Sequence, residues 1–185
     1  ISFYEQVRER LKRKNSTLIT LDKSFRCTNE ILRFGLRFLD VGNGAKTMEI
    51  KCFNRSGDAV EVEAFDVSQE YLDRIVREIG ICREKGFETV CLLCKTKEGC
   101  SRLNARLRSR TELRMFGDSG ISELKGNLIL PSYMAKGLEF DAVIICDADA
   151  RNYCDEDDKK ILYVECTRAL HRLSLFCEGE LTPLI

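Results

Sequence analysis

The sequence carries no excess of charge. Thirty lysines and arginines are cancelled by thirty aspartates and glutamates, so no global field draws the chain to nucleic acid or to a membrane surface. Any contact with a polyanion has to come from a local patch. An apolar run near the length that crosses a bilayer is also lacking, and no secretory signal is read. The ten cysteines follow no framework spacing, so a reducing, cytoplasmic setting is expected. Cys91 and Cys94 form a CxxC, but Leu92 and Leu93 set it inside an apolar strand. No second CxxC completes four zinc ligands, and no bound metal is expected.

What is present fits one α/β domain: 185 residues with an ordinary apolar fraction of 44% can bury a sizeable core. The chain opens at Ile1, without an initiator methionine, and enters charged helical sequence at once. It is therefore expected to be a piece of a longer protein with partners in cis.

Residues 1–14 predict a helix and "STLITL" (16–21) a short strand. In "KSFRCTNEILRFGLRFLD", Thr28 or Asn29 can cap a helix whose Ile31, Phe34, Gly35 and Phe38 share one face and which stops near Gly42 and Gly44. "MEIKCF" and "AVEVEAF" are strand-like, and the "NRSGD" between them has hairpin turn chemistry. Ser68 starts a helix with Leu72, Ile75, Val76 and Ile79 on one side. "TVCLLC" (89–94) is an apolar strand, followed from about 97 by a helix carrying Cys100, Leu103 and Leu107. "GNLILP", "FDAVIICDA" (140–148) and "RLSLFC" are further strands, with "DDKKILYVECTRAL" a helix before the last. Wholly apolar strands alternating with helices predict a mostly parallel sheet covered on both faces.

A phosphate-binding loop is missing. "GNGAKT" (42–47) has the lysine and threonine, but Ala45 and Asp40 stand where glycines are needed, and the loop follows a helix instead of a strand. A helix stop with a turn explains it. "VIICDAD" (143–149) resembles an apolar strand ending in a magnesium-holding aspartate, yet has no phosphate loop to work with. Asp147, Asp149 and "DEDD" (155–158) supply carboxylates that suggest metal-dependent nuclease chemistry, but their crowding at the first turn of a helix, where they favour its dipole, is the stronger explanation.

Three features suit a nucleotide site without its own phosphate loop. Phe25 and Arg26, between a strand and a helix start, offer an aromatic face and a guanidinium. "KGLEF" offers Gly137 for close backbone approach and Glu139 to accept from a ribose hydroxyl. Arg168 is placed on a helix packed through Leu162, Cys166 and Ala169, about 100° round from Ala169.

Taken in order, these residues resemble the second RecA-like domain of superfamily 1 helicases of the UvrD/Rep type. "LDKSFRCTNEIL" resembles motif IV, "KGLEFDAVII" motif V, and "ILYVECTRALHRLSLF" motif VI, usually Leu-Tyr-Val-Ala-x-Thr-Arg-Ala. "VCLLCKTKEGCSRL" resembles the segment that reaches single-stranded nucleic acid. "LPSYMAKGLEFDAVIICDADARNY", followed so soon by motif VI, looks most like the HelD branch associated with bacterial RNA polymerase, and the short path between motif IV and Lys95, where UvrD inserts a whole domain, resembles a HelD-like or other compact member.

The resemblance implies an α/β, RecA-like fold and a set of roles. Arg26 would contact the γ-phosphate and Phe25 would occupy the base-stacking position. Glu139 would bind the ribose, and Lys136 and Gly137 would shape the loop beneath. Arg168 would be the arginine finger. ATP with magnesium would be held mainly by an N-terminal RecA-like domain, so the isolated chain is expected to be inactive. Lys95, Thr96, Lys97 and Tyr133 would face single-stranded DNA, although Tyr133 and Pro131 replace a histidine and a threonine of the UvrD-type motif. RNA polymerase is the alternative partner.

Overall fold

The computed structural model describes residues 10, 23–24, 26–39, 51–52, 55–115 and 124–185. Phe25, the "STLITL" strand, the "GNGAKT" turn and nearly all of the expected first helix lie outside these residues. The described strands are β1 (Lys23–Ser24), β2 (Lys51–Cys52), β3 (Glu61–Phe65), β4 (Thr89–Cys94), β5 (Arg114–Met115), β6 (Gly126–Pro131), β7 (Phe140–Cys146) and β8 (Ala169–Glu178). The described helices are α1 (Asn29–Leu36), α2 (Ser68–Glu84), α3 (Lys97–Leu107) and α4 (Glu156–Cys166), with a 3₁₀ turn at Ser132–Met134.

Six strands form one sheet in the order β3-β8-β7-β4-β6-β5, and every pairing is parallel. Alternation along the strands splits the core in two. Cys91, Leu93, Val143, Ile145, Leu173 and Leu175 face α1 and α4, whereas Val90, Leu92, Ala142, Ile144 and Phe176 face α2 and α3. This two-sided burial is why β4 and β7 read as unbroken apolar runs. Cys91 and Cys94, three positions apart on β4, fall on opposite faces of the sheet.

Two local expectations are corrected. "NRSGD" does not join a hairpin: β2 pairs with β1, and β3 pairs parallel to β8 in the register Glu61↔Ser174. Instead the segment docks on the start of α1. The Asn29 N–H donates to the Arg55 carbonyl (2.9 Å) and the Gly57 N–H to Glu30 (2.7 Å). A Cβ on Gly57 would lie 2.5 Å from the Thr28 side chain, so only glycine permits this approach.

The second correction concerns the final helix, which ends at Cys166 and does not continue through Leu170. The Phe140 N–H takes the Arg168 carbonyl (3.0 Å), and Ala169 opens β8 opposite Phe140. Arg168 thus occupies the turn between α4 and β8, and Ala169 packs as a strand residue. Among the described residues, α1 also ends earlier than expected, at Leu36, although Phe38 still packs beneath it.

Beyond β3, a buried charged network pins α2 to the sheet. Glu78, with no exposed surface, meets Arg172 Nε at 2.5 Å and Arg74 Nη1 at 2.8 Å, while the Ser174 hydroxyl donates at 2.8 Å. Burial pushes the Glu78 carboxyl up, but the two guanidiniums and Ser174 overcome it and hold it below the usual range.

Candidate nucleotide and nucleic-acid faces

The candidate residues gather at two ends of the sheet. Glu139 and Arg168 precede β7 and β8, at their amino ends, and Arg26 precedes α1. The Arg26 Nε lies 2.6 Å from Glu139 Oε1, with the two side chains 46% and 41% exposed. Arg168 is folded back: its Nε donates to the Val164 carbonyl (3.0 Å), Nη1 to the Leu138 carbonyl (3.3 Å) and Nη2 to the Thr167 hydroxyl (3.3 Å). Burial, then the nearby Arg26 charge, lowers the Arg168 pKa, and Glu139 opposes them. Three residues far apart in sequence therefore share one electrostatic neighbourhood.

The loop that carries Glu139 is set by a glycine. Leu138 donates to the Ala135 carbonyl (3.0 Å), closing a turn in which Gly137 has φ +86. A side chain would find open space there but a disfavoured backbone.

Lys95, Thr96, Lys97 and Tyr133 stand at the other end, after the carboxyl ends of β4 and β6. Tyr133 is 66% exposed on the 3₁₀ turn. Thr96 caps α3, its hydroxyl accepting from the Gly99 N–H at 3.0 Å. Lys97 is exposed at the helix start. Lys95 is engaged already: its ammonium pairs with Asp158 at 2.6 Å, donates to the Asn152 carbonyl and lies over the Tyr153 ring. Its structural role therefore competes with any role toward phosphate.

The carboxylates of "DEDD" serve the helix. Asp155 and Asp158 form a capping box on α4, and Asp158 also accepts from the Cys154 N–H at 2.9 Å. Among the described residues, Cys154, Asp155 and Asp158 are the one group of potential metal ligands within 4.8 Å of one another, and these bonds occupy both carboxylates.

Two features escaped sequence reasoning. One is the crevice between β4 and β7, whose following helices lie on opposite faces of the sheet, the arrangement in which α/β sheets open a crevice. A cleft of about 340 Å³ lies beside it, lined by Arg102, Arg106, Asp147, Asp149 and Arg151 among others. Asp147 there is the one non-glycine residue of positive φ (58°) among those described, and burial raises its pKa, with Asp149 adding to the effect. The other is Glu165, a carboxyl with no exposed surface within the apolar "LYVECTRAL". A glutamate where motif VI has alanine was the signal that could have found it.

An all-parallel six-stranded sheet covered by helices on both faces, with Arg26 and Glu139 paired beside the loop before β7, defines an α/β domain of the RecA-like class. The comparisons give the family. Residues 128–176 match the model of the UvrD-like helicase C-terminal domain. The chain is similar to the crystal structure of the C-terminal domain of a possible DNA helicase from Lactobacillus plantarum WCFS1. That likeness has 30% identity and a TM-score of 0.73, and covers 87% of this chain and 91% of that one. No curated protein matches the chain. The chain belongs to the family of UvrD-like helicase C-terminal domains. Among the described residues no helix is long and apolar enough to cross a membrane.

Proposed function

We propose that this chain is the second motor domain of an ATP-dependent DNA helicase or translocase. It closes over ATP and magnesium held mainly by an N-terminal RecA-like domain of the same protein, and it contacts single-stranded DNA. The observation that carries this reading is the cluster of Arg26, Glu139 and Arg168. Two guanidiniums and one carboxylate, partly open to solvent, make a donor and acceptor set that fits phosphate oxygens and a ribose hydroxyl.

Arg26 exchanges its ion pair for the γ-phosphate, and Glu139, so released, accepts from the ribose. Arg168 unfolds from the carbonyls of Val164 and Leu138 to act as the arginine finger, and Phe25 stacks on the base. ATP, when bound, supplies the phosphoryl group whose developing charge such a finger stabilises. Tyr133, Thr96 and Lys97, at the far end of the sheet, meet single-stranded DNA, with Lys95 holding the loop that presents them. Closing and opening of the domain pair then converts turnover into movement.

The test is steady-state ATP hydrolysis by the full-length protein, wild type against Arg168→Ala, with and without single-stranded DNA. A loss of about 10³ to 10⁵ in rate at unchanged nucleotide affinity is expected. Turnover equal to wild type would end the motor assignment for this site. An ATP-driven, HelD-like remodeller of RNA polymerase is the second outcome the assay distinguishes: its turnover would rise with polymerase and stay flat with DNA.

A further inference from the structure

Glu165 has no part in the roles above, yet it lies between the two faces that carry them. It is in the last turn of α4, fully buried, and its backbone carbonyl accepts the Arg168 N–H at 3.0 Å. Its Oε1 receives the Tyr153 hydroxyl at 2.9 Å and touches the Ser132 hydroxyl, while Oε2 has no hydrogen-bond partner. The Ser132 Oγ is also 3.0 Å from the Cys94 carbonyl.

A serine hydroxyl has one proton, and a backbone carbonyl has none to give. If Ser132 donates to Cys94, the contact between Ser132 and Glu165 needs its proton from the carboxyl. A neutral Glu165 completes the chain: Tyr153 donates to Glu165, Glu165 to Ser132, and Ser132 to Cys94. An ionised one would leave two acceptors competing for the Ser132 proton and an unpaired charge in the core, an expensive arrangement.

Among the described groups around Glu165 the one cation is Lys95, whose charge favours the ionised form without outweighing burial. Facing it are Ser132 from the turn after β6, Tyr153 from the loop before α4, Cys91 and Lys95 from β4 and its end, and Asp158 and Cys166 of α4. The Lys95 ammonium is held by Asp158. Burial pushes the Glu165 carboxyl up to about 7, against its contacts with Ser132 and Tyr153 and the Lys95 charge.

The geometry points to Glu165 as a protonated positioning residue that ties the Tyr133 turn and the end of β4 to the turn holding Arg168. Ser132 directly precedes Tyr133, Cys94 directly precedes Lys95, and Glu165 shares a turn with Arg168. A shift of the nucleic-acid face is thereby passed to the arginine through one hydrogen-bonded chain. This deepens the motor reading and rests on it for the last link, the service of Arg168 to ATP.

Two experiments test it separately. In this chain, the Glu165 side-chain carboxyl is followed by carbon-detected NMR across pH and assigned by its loss in Glu165→Gln. A resonance still protonated at about pH 6 is expected, and one that titrates below about pH 5 overturns the proposal. In the full-length protein, DNA-stimulated ATP turnover is compared for wild type, Glu165→Ala, Ser132→Ala and Glu165→Gln.

Both alanine variants are expected to lose stimulation roughly fivefold, the low end of typical coupling, with unstimulated turnover unchanged. Glu165→Gln keeps a donor and an acceptor, so it is expected to retain stimulation across pH, whereas the stimulation of wild type is expected to decline as Glu165 ionises between about pH 6 and pH 8. Alanine variants stimulated as well as wild type would overturn the tie. Turnover unaffected by Arg168→Ala would sink the motor reading, while the NMR result still decides the protonation.

Discussion

At the scale of the residue, the strongest constraints are charges buried with their partners. Arg172 bonds Glu78, Asp58 and Glu61, and Arg74 bonds Glu78 and Glu63, all between 2.5 and 2.9 Å. Replacing the whole set by apolar groups could be neutral, but removing one member leaves its buried partners short of a counter-charge. Glu78→Ala is expected to destabilise by about 3 kcal/mol, the low end for a broken buried pair, because each arginine keeps other carboxylates. Urea denaturation gives the measurement, and a loss below about 1 kcal/mol would show the network to be dispensable. None of this was legible in the sequence, where Arg74 and Glu78 stand nearly a hundred positions from Arg172. They meet only because β3 pairs with β8 and α2 crosses behind both.

At the scale of the element, two glycines with open space where a side chain would project should respond in opposite directions. Gly80 lies inside α2 with nothing within 4 Å of an added Cβ, so Gly80→Ala should stabilise by about 0.4 to 1 kcal/mol through the unfolded chain. Gly137 is equally uncrowded but sits at φ +86, so Gly137→Ala should cost about 1 to 2 kcal/mol. Paired denaturation curves of the two variants check the sign of each. Element type was legible for β4, β6, β7, α2 and α3, whose periodicities are long and unmixed. The end of α4 was not, since Thr167 and Arg168 fit a helix until the Phe140 N–H claims the Arg168 carbonyl. Hairpin chemistry in "NRSGD" likewise yielded to a docking contact with α1 that no local pattern encodes.

At the scale of the whole molecule, pH dependence divides between groups of opposite sign. Glu165 is raised to about 7, so its contribution to stability is complete below its ordinary value of 4.5 and is lost as pH rises to about 7. His171, lowered by burial and by Arg55, contributes in the other direction: its stabilisation is present above its ordinary value of 6.5 and is lost as pH falls below that through the lowered value. Substituting Glu165→Gln removes the first component alone. The stability of wild type relative to this variant should fall by roughly 2 to 3 kcal/mol between pH 5 and pH 8, at about 1.36 kcal/mol per pKa unit. Denaturant midpoints at both pH values measure it, and parallel behaviour of the two proteins would mean that Glu165 is ionised throughout.

The sequence alone determined the class and the family. Apolar strands in alternation with helices can be buried only in a covered parallel sheet, and the ordered motifs "SFRCTNEIL", "KGLEF" and "VECTRAL" survive as local strings. Tertiary structure alone decided which residues meet. Arg26 lies against Glu139 because α1 packs beside α4 over the amino ends of β7 and β8. Glu165 bridges Ser132 and Tyr153 because three separate segments close over one buried carboxyl. Contacts between chain segments arise from packing in three dimensions, whereas a sequence displays only its neighbours along the chain.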